Sequence, residues 1–545
     1  MLSVGFAWLF VASLTEDVAR AYTPESPEVV EMVEKALSFL EDADHNDVGG
    51  ACLIGLAAYK GGLGKEHPKV QQALARCSRA VQELPLGDHI YNEAIAVIFL
   101  CEIDPDGHRA EINRFMAEVF RHQKAHGGFG YLSGRPGDTS QTQYAVLAMW
   151  SAQRNGFTVP VESMEGVCNW LLQTQDQSGT FTYHPPVFTT QNDPRNDRGQ
   201  GKYSKTAPGA SHSLTAAGLS SVYICADMLG LTPPPADSVE ASDLPPGLRR
   251  PGEEEEKKPE VNRPRGPLTK KVPRDILRAA MFDGKMWLED NFTVSPSSWE
   301  HYYLYALERY HAFREVADRD ADEEPQWYND GVDRLRSTQG ADGSWESNNQ
   351  TGPACDTAFA VLFLLRSTRM SIHKKTISEA ALRGGRGLPE DTSDVRLRGG
   401  QVVGVPVART VNDLIGLLED AEGTDLDRAI EFPESLLVSG DESTRAQNAA
   451  RLRAWVSHPS YKVRMAAMQA LGRMRDMDNV PVLIYGLTDP DGRVVQAARD
   501  GLRFVSRKIS GFELPDEPTP EQLEAERSQW KGWYLSIRPD AEFLD

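Results

Sequence analysis

Residues 112–131 read INRFMAEVFRHQKAHGGFGY, and the order of residue types in this stretch decides the fold. Ile112, Phe115, Met116, Val119 and Phe120 fall at i, i+3, i+4, i+7 and i+8, the apolar face of an amphipathic helix. Gln123 follows, then a glycine turn, Gly127 and Gly128, holding Phe129 and Tyr131. Asp138 and Thr139 then open a second helix that carries Tyr144, Leu147 and Ala148. The same pattern recurs with Met164, Val167, Cys168, Leu171 and Leu172, then Gln175, Gly179 and Phe181, and a helix opening at Ser213, Leu214 and Ala217. A third copy runs Tyr328, Val332, Leu335, Gln339, Asp342, Gly343 and Trp345, followed by Asp356, Thr357, Ala358 and Phe359. In each unit the glycine is expected to end the first helix in a left-handed turn. The aromatic is expected to fold back onto the helix ends, and Asp, Thr or Ser to cap the second helix.

A helical hairpin cannot bury such a stripe alone, so neighbouring copies must stack into a continuous core. The periodicity predicts outer helices near 28–41, 68–82, 109–123, 163–174, 274–290 and 326–338, and inner helices near 48–60, 91–102, 139–153, 212–229, 298–310 and 356–367. Six pairs suit a closed barrel of inner helices wrapped by outer ones.

The Gln-x3-Gly-x-aromatic units, best at Gln123 to Tyr131 and Gln339 to Trp345, resemble the QW-type repeats of the squalene/hopene cyclase and protein prenyltransferase β-subunit superfamily. The stretch from Trp299 through Glu300, His301, Tyr302, Tyr303 and Tyr305 to Arg309 is similar to the bacterial branch of prenyltransferase/squalene-oxidase-repeat proteins. The resemblance implies an α/α toroid over about residues 25–370.

Composition agrees with a multidomain helical protein. The chain has 545 residues, 40% of them hydrophobic, enough for two or three domains with sizeable cores. A formal net charge of -21 argues against nucleic acid, because neutralising a phosphate backbone needs clustered Lys and Arg. Cys52, Cys77, Cys101, Cys168, Cys225 and Cys355 lie singly among apolar residues, with no metal-ligand spacing, and read as small buried hydrophobes.

An apolar run from Leu2 to Leu14 precedes Ala19-Arg20-Ala21, an A-x-A cleavage pattern, so residues 1–21 read as a signal peptide of an exported, periplasmic or cell-envelope protein. No Lys or Arg precedes the run, and membrane association is expected only if this segment stays uncleaved. Four helix pairs occupy 22–231. Residues 232–272, rich in Pro, Glu, Lys and Arg, read as a disordered insertion with too little apolar content to order itself. Two more pairs fill 273–372, and a loop-rich connector spans 373–442. Val463, Ala466, Ala467, Ala470 and Leu471 recur 31 positions later as Val494, Ala497, Ala498, Gly501 and Leu502, a small-residue seam that resembles HEAT-like repeats over 443–508. Residues 509–545 read as a tail.

Chemistry in a toroid belongs at the barrel mouth, near the starts of the inner helices. The cyclases of the resembled superfamily protonate an alkene with an Asp-x-Asp-Asp-Thr-Ala motif. Here only Asp356, Thr357 and Ala358 match, and Asp356 reads as a helix N-cap. Asp320 to Glu323 lie in a charged run and read as a solvated loop. The superfamily's zinc set of Asp, Cys and His is incomplete, with His212 alone approximating its histidine, so no metal and no cofactor are expected. At 100° per residue Trp299, Tyr302 and Tyr303 share one face, while His301 and Tyr305 share another.

The reading is an all-α protein, an (α/α)6 toroid followed by a short HEAT-like α-hairpin module, acting as an exported binding or scaffold protein without cyclase activity. Tyr131, Asp138, Trp299, His301, Tyr302, Tyr303 and Trp345 are the expected lining of an apolar central cavity. The partner is then a protein or an apolar, isoprenoid-like ligand. The alternative is a terpenoid- or isoprenoid-handling enzyme, with Asp356 and His212 as its catalytic residues.

Overall fold

The computed structural model describes residues 21–134, 136–176, 178–185, 210–232, 267–318, 325–347, 351–373, 395–398, 401–404, 410–419 and 436–508, and beyond these 512, 514–515 and 518–543. The leader, most of the 232–272 insertion, Asp320 to Glu323 and most of the connector lie outside the described residues.

Six helix pairs form the larger, N-terminal part: α1 (Pro27–Asp42) with α2 (Val48–Ala58), α3 (Pro68–Ala80) with α4 (Tyr91–Ile103), α5 (Arg109–Arg121) with α6 (Thr139–Arg154), α7 (Val161–Thr174) with α8 (His212–Met228), α9 (Arg274–Asp290) with α10 (Glu300–Asp318), and α11 (Gln326–Thr338) with α12 (Gly352–Leu364). The odd-numbered helices are one-faced. On α5 only Ile112, Phe115, Met116 and Val119 are buried, the stripe that the periodicity predicts. The even-numbered helices are buried almost all round, α2 over its whole length and α8 from Ser213 to Met228. Helices that are apolar on every side need neighbours on every side. These have them: α2 touches α4, α4 touches α6, α6 touches α8, α8 touches α10, α10 touches α12, and α12 touches α2 and α1.

The Gln-Gly-aromatic motif holds consecutive pairs together. Gln123 Nε2 donates to Gly127 O (2.9 Å) in its own turn and to Ser163 O (2.9 Å) on the next outer helix. Gln175 repeats this with Gly179 O and Ala280 O, and Gln339 with Gly343 O and Met32 O on α1. The glycines sit at φ 96°, 88° and 86°. A Cβ on Gly127, Gly179 or Gly343 would stand 2.0, 2.2 or 2.3 Å from a backbone oxygen of the following outer helix, that of Gly166, Asp283 or Lys35. Glycine is thus required twice over, for the left-handed backbone and for the close approach. The backbone N–H groups of the aromatics Phe129, Phe181 and Trp345 donate to the hydroxyls of Thr142, Thr215 and Thr357 on the inner helices.

Two expectations about these turns need correction. The glycine does not end the outer helix, because α7 and α11 stop at Gln175 and Gln339, whose backbones are extended, and the glycine lies four residues on. Asp138 and Ser211 do cap α6 and α8, but Asp356 caps nothing, because α12 begins a turn earlier at Gly352.

A short helix, α13 (Ser367–His373), closes this part, and a two-stranded antiparallel hairpin, β1 (Val395–Arg398) with β2 (Gln401–Gly404), lies in the connector. A second core gathers α14 (Val411–Glu419), α15 (Glu442–Ala454), α16 (Tyr461–Arg473), α17 (Val480–Gly486), α18 (Gly492–Ser506) and α19 (Pro520–Ile537). It begins earlier and ends later than the repeat pattern indicates. The expected tail contributes α19, opened by a Thr519–Gln522 capping box and anchored by buried Trp530, Trp533 and Tyr534. Along the α16–α18 seam the backbones meet at glycine, and a Cβ on Gly472 would lie 2.4 Å from Gly501 Cα. The two cores are clasped by Asp283 of α9, which accepts from Arg473 Nη1 (2.8 Å) and Arg475 Nη2 (3.1 Å), with Arg507 donating to Gln173 O.

All six cysteines are buried thiols, with Cys52 Sγ 3.2 Å from Cys77 Sγ. Among the described residues no helix is long and apolar enough to cross a membrane.

Candidate functional site: inner-helix ends and the interdomain cleft

Two polar clusters mark the starts of the inner helices. Asp138, at the N-terminus of α6 and 2% exposed, accepts from Gln141 N (3.0 Å) and Ser140 Oγ, and lies 3.2 Å from His184 Nε2. Ser140 Oγ in turn meets the Tyr91 hydroxyl at 2.8 Å. Burial, and then the Asp138 charge, push the Tyr131 and Tyr183 phenols upward. Asp138 and Tyr131 are therefore neighbours, and Tyr131 is exposed.

In the second cluster His301 Nδ1 lies 3.7 Å from Asp356 Oδ2, both side chains buried. That separation is too long for a hydrogen bond. Asp356 instead accepts from Ser347 N and Oγ (2.8 Å each) and from Thr351 Oγ1 (3.0 Å). Those donors tie the loop before α12 to the helix, a structural task.

Several expected site residues do not gather here. His212 Nε2 bonds Asn291 O at 2.8 Å, and its ring lies against Trp287 and Tyr303, between α8 and the end of α9. His212 and Asp356, the catalytic residues of the alternative enzyme reading, thus have separate hydrogen-bond partners. Tyr303 donates to Thr293 O, and Trp345 Nε1 donates to Leu335 O at the end of α11, so both belong to packing between layers. Trp299 does not share a helical face with both Tyr302 and Tyr303, because α10 begins at Glu300 and Trp299 has φ 58°. Its ring meets that of Tyr302 edge-on at 6.2 Å.

Where a central cavity is expected, side chains from α6, α10 and α12 meet. Arg309 is fully buried; its Nη1 donates to Gln143 Oε1 (2.7 Å), and Gln143 Nε2 donates to the Tyr302 hydroxyl. Tyr305 lies under the guanidinium at 4.5 Å and stacks on Phe359, which Tyr302 meets edge-on. Nearby, Glu308 accepts from the backbone N–H groups of Thr368 and Arg369, and burial pushes its carboxyl upward. Beyond Tyr305, next to the Lys60–Glu102 ion pair and Ser371, a space of about 20 Å³ remains, room for a single water. The sequence does signal this arrangement: Glu308-Arg309 interrupts an otherwise apolar and aromatic inner helix.

The larger cavity lies elsewhere. Between α9, α16 and α18 a cleft of about 240 Å³ opens, lined by Asp275, Met465, Gln469, Ala497, Asp500 and Phe504 among others. Desolvation, then the neighbouring Asp500 charge, push Asp275 up to about 6. Nothing in the sequence marks this site, because its walls come from two cores joined by a long connector. Among the described residues, no group of three His, Cys, Asp or Glu side chains is placed to hold a metal ion.

Residues 437–505 match the HEAT-repeat family, the segment from just before α15 to the end of α18. No curated protein matches the chain. A crystal structure of an engineered protein from the Northeast Structural Genomics Consortium aligns at 12% identity, covering 93% of this chain and 98% of that one. Its TM-score of 0.17 is too low to carry an argument about fold.

Proposed function

We propose that this chain is a noncatalytic scaffold, an (α/α)6 toroid with a filled centre that carries a HEAT-like module for engaging a protein partner. One observation supports this reading: Arg309, Gln143 and Tyr302 form a buried relay that joins α6 to α10 where a central cavity is expected. Closure of the toroid is supported by Gln339, which grips Met32 across 307 residues of sequence as Gln123 and Gln175 grip their own neighbours. HEAT repeats commonly present helical surfaces to other proteins, which supports a protein partner. We also propose export, with cleavage after Ala21, on the strength of the leader-like N-terminus. N-terminal sequencing of the mature protein then begins at Tyr22.

The test is chemical crosslinking in the cells that make the protein, followed by mass spectrometry. A recurrent protein partner joined through Lys462 or Lys531 of the module is the expected result. An isoprenoid lipid retained in native mass spectrometry, and turned over by the wild type but not by Asp356→Asn, would contradict the scaffold reading.

A further inference from the structure

Four of the six cysteines meet in pairs. Cys52 of α2 and Cys77 of α3 are both fully buried, with their sulfurs 3.2 Å apart. Cys225 of α8 shares a hydrogen bond with Cys168 of α7, and both of these side chains are fully buried too. Each pair joins an inner helix to an outer one, the first between consecutive helix pairs and the second within a single pair. Cys355 instead lies near the carboxylates of Asp356 and Asp47.

The helices approach closely at the first pair. One turn along, a Cβ on Gly55 of α2 would lie 2.9 Å from Ala73 Cβ of α3, so little side-chain volume separates the two backbones there. A sulfur–sulfur bond is about 2.0 Å long, about 1.2 Å less than the present separation, a difference that rotation of the two side chains can cover. Within the closed fold the reaction is slow. Burial pushes the Cys52 and Cys225 thiols well up, and the thiolate is the attacking species in disulfide exchange. The bonds therefore form while the chain is folding or transiently open, when the sulfurs meet solvent.

We propose that Cys52 with Cys77, and Cys168 with Cys225, are two disulfide-forming pairs that tie the inner layer of helices to the outer one when the chain meets a disulfide oxidant such as oxidised glutathione. In each pair one cysteine thiolate attacks the oxidant, making a mixed disulfide and releasing one thiol. The second cysteine then attacks the mixed disulfide and releases the other. Two cysteine thiols lose two electrons and two protons, and the two sulfurs of the oxidant gain them. In the cell the reaction needs oxidising surroundings, so its occurrence there rests on the export reading.

The test holds the reduced, purified full chain with oxidised glutathione in urea below its unfolding midpoint, so that transient opening admits the oxidant. Denaturation, iodoacetamide labelling and peptide mass mapping follow. Peptides linking Cys52 to Cys77 and Cys168 to Cys225 are expected, with Cys101 and Cys355 alkylated. The oxidised protein should melt about 5 °C or more above the same sample kept in dithiothreitol. Cys77→Ala should leave Cys52 alkylated while the other link still forms, and the wild-type map decides alone if that variant fails to fold. Alkylation of all four sulfurs, glutathione adducts without links, or links scrambled among the six cysteines would overturn the pairs. The same map on protein taken directly from its cells separates the two readings: thiols there, with both links after oxidation, would contradict export and leave the pairs standing.

Discussion

The paired-helix part joins its repeats with side-chain amides, whereas the HEAT-like module joins its own by leaving side chains out. Gln123, Gln175 and Gln339 each spend both amide hydrogens on backbone carbonyls, one in their own turn and one on the next outer helix. Such bonds contribute about 0.5–1.5 kcal/mol each, and they are directional. Along the α16–α18 seam the equivalent work falls to Gly472 and Gly501, whose backbones touch, and to flanking alanines that let dispersion act at close range. The first device fixes the orientation of every pair. The second fixes only distance, and it leaves gaps such as the interdomain cleft.

The largest effect expected from this contrast is at the glycines. Gly343→Ala places a methyl 2.3 Å from Lys35 O in a left-handed backbone, and should cost about 3–5 kcal/mol in urea unfolding of the paired-helix part. Gly492→Ala at the start of α18, where a Cβ meets nothing within 4 Å, should be neutral or stabilising by up to about 1 kcal/mol. Equal costs would break the comparison.

Next is the clasp between the two parts. Asp283→Asn leaves the nearly buried Arg473 and Arg475 without their carboxylate and should cost about 3 kcal/mol of interdomain coupling, splitting one calorimetric transition into two. A single unshifted transition would mean that the clasp contributes nothing.

Gln175→Ala should cost about 2 kcal/mol, because Gly179 O and Ala280 O lose their donor in a buried setting. The exposed Gln71, which bonds a single carbonyl, provides the control and should cost almost nothing.

The smallest effect has the opposite sign. Asp275 has a folded-state pKa of about 6, above the ordinary aspartate value, so folding favours its protonated form. That contribution is complete below about pH 4 and is lost as pH rises through about 6. Asp275→Asn should therefore stabilise the protein by about 1–2 kcal/mol at pH 8 and by nothing near pH 3.5, read from melting curves across pH.

Most helix positions were legible because hydrophobic periodicity directly reports a one-faced outer helix. All six outer helices end within two residues of their expected position, and α9 and α11 match at both ends. The inner helices were legible too, except that α12 begins four residues before its expected start at 356 and α10 runs eight residues past its expected end at 310, where its polar residues Glu308, Arg309 and Glu315 are buried rather than turned to solvent. The site was less readable. Tyr303 and Trp345 are aromatic and buried like cavity residues, but a backbone carbonyl captures each of their polar atoms, which no spacing rule reveals. Trp299 misled because a single left-handed residue removes it from the helix that would have aligned it. α19 escaped notice because Trp530, Trp533 and Tyr534 stand among charged residues and need the second core to become a buried face.

The central claim is that the last helix pair grips the first. All six native cysteines are buried, so Glu31→Cys on α1 and Arg336→Cys on α11, both exposed, can be spin-labelled selectively. Double electron–electron resonance should give one narrow distance of about 15–25 Å, as for labels on adjacent helices packed about 10 Å apart. A broad distribution beyond about 50 Å, the span of an open array of six pairs, would contradict the account.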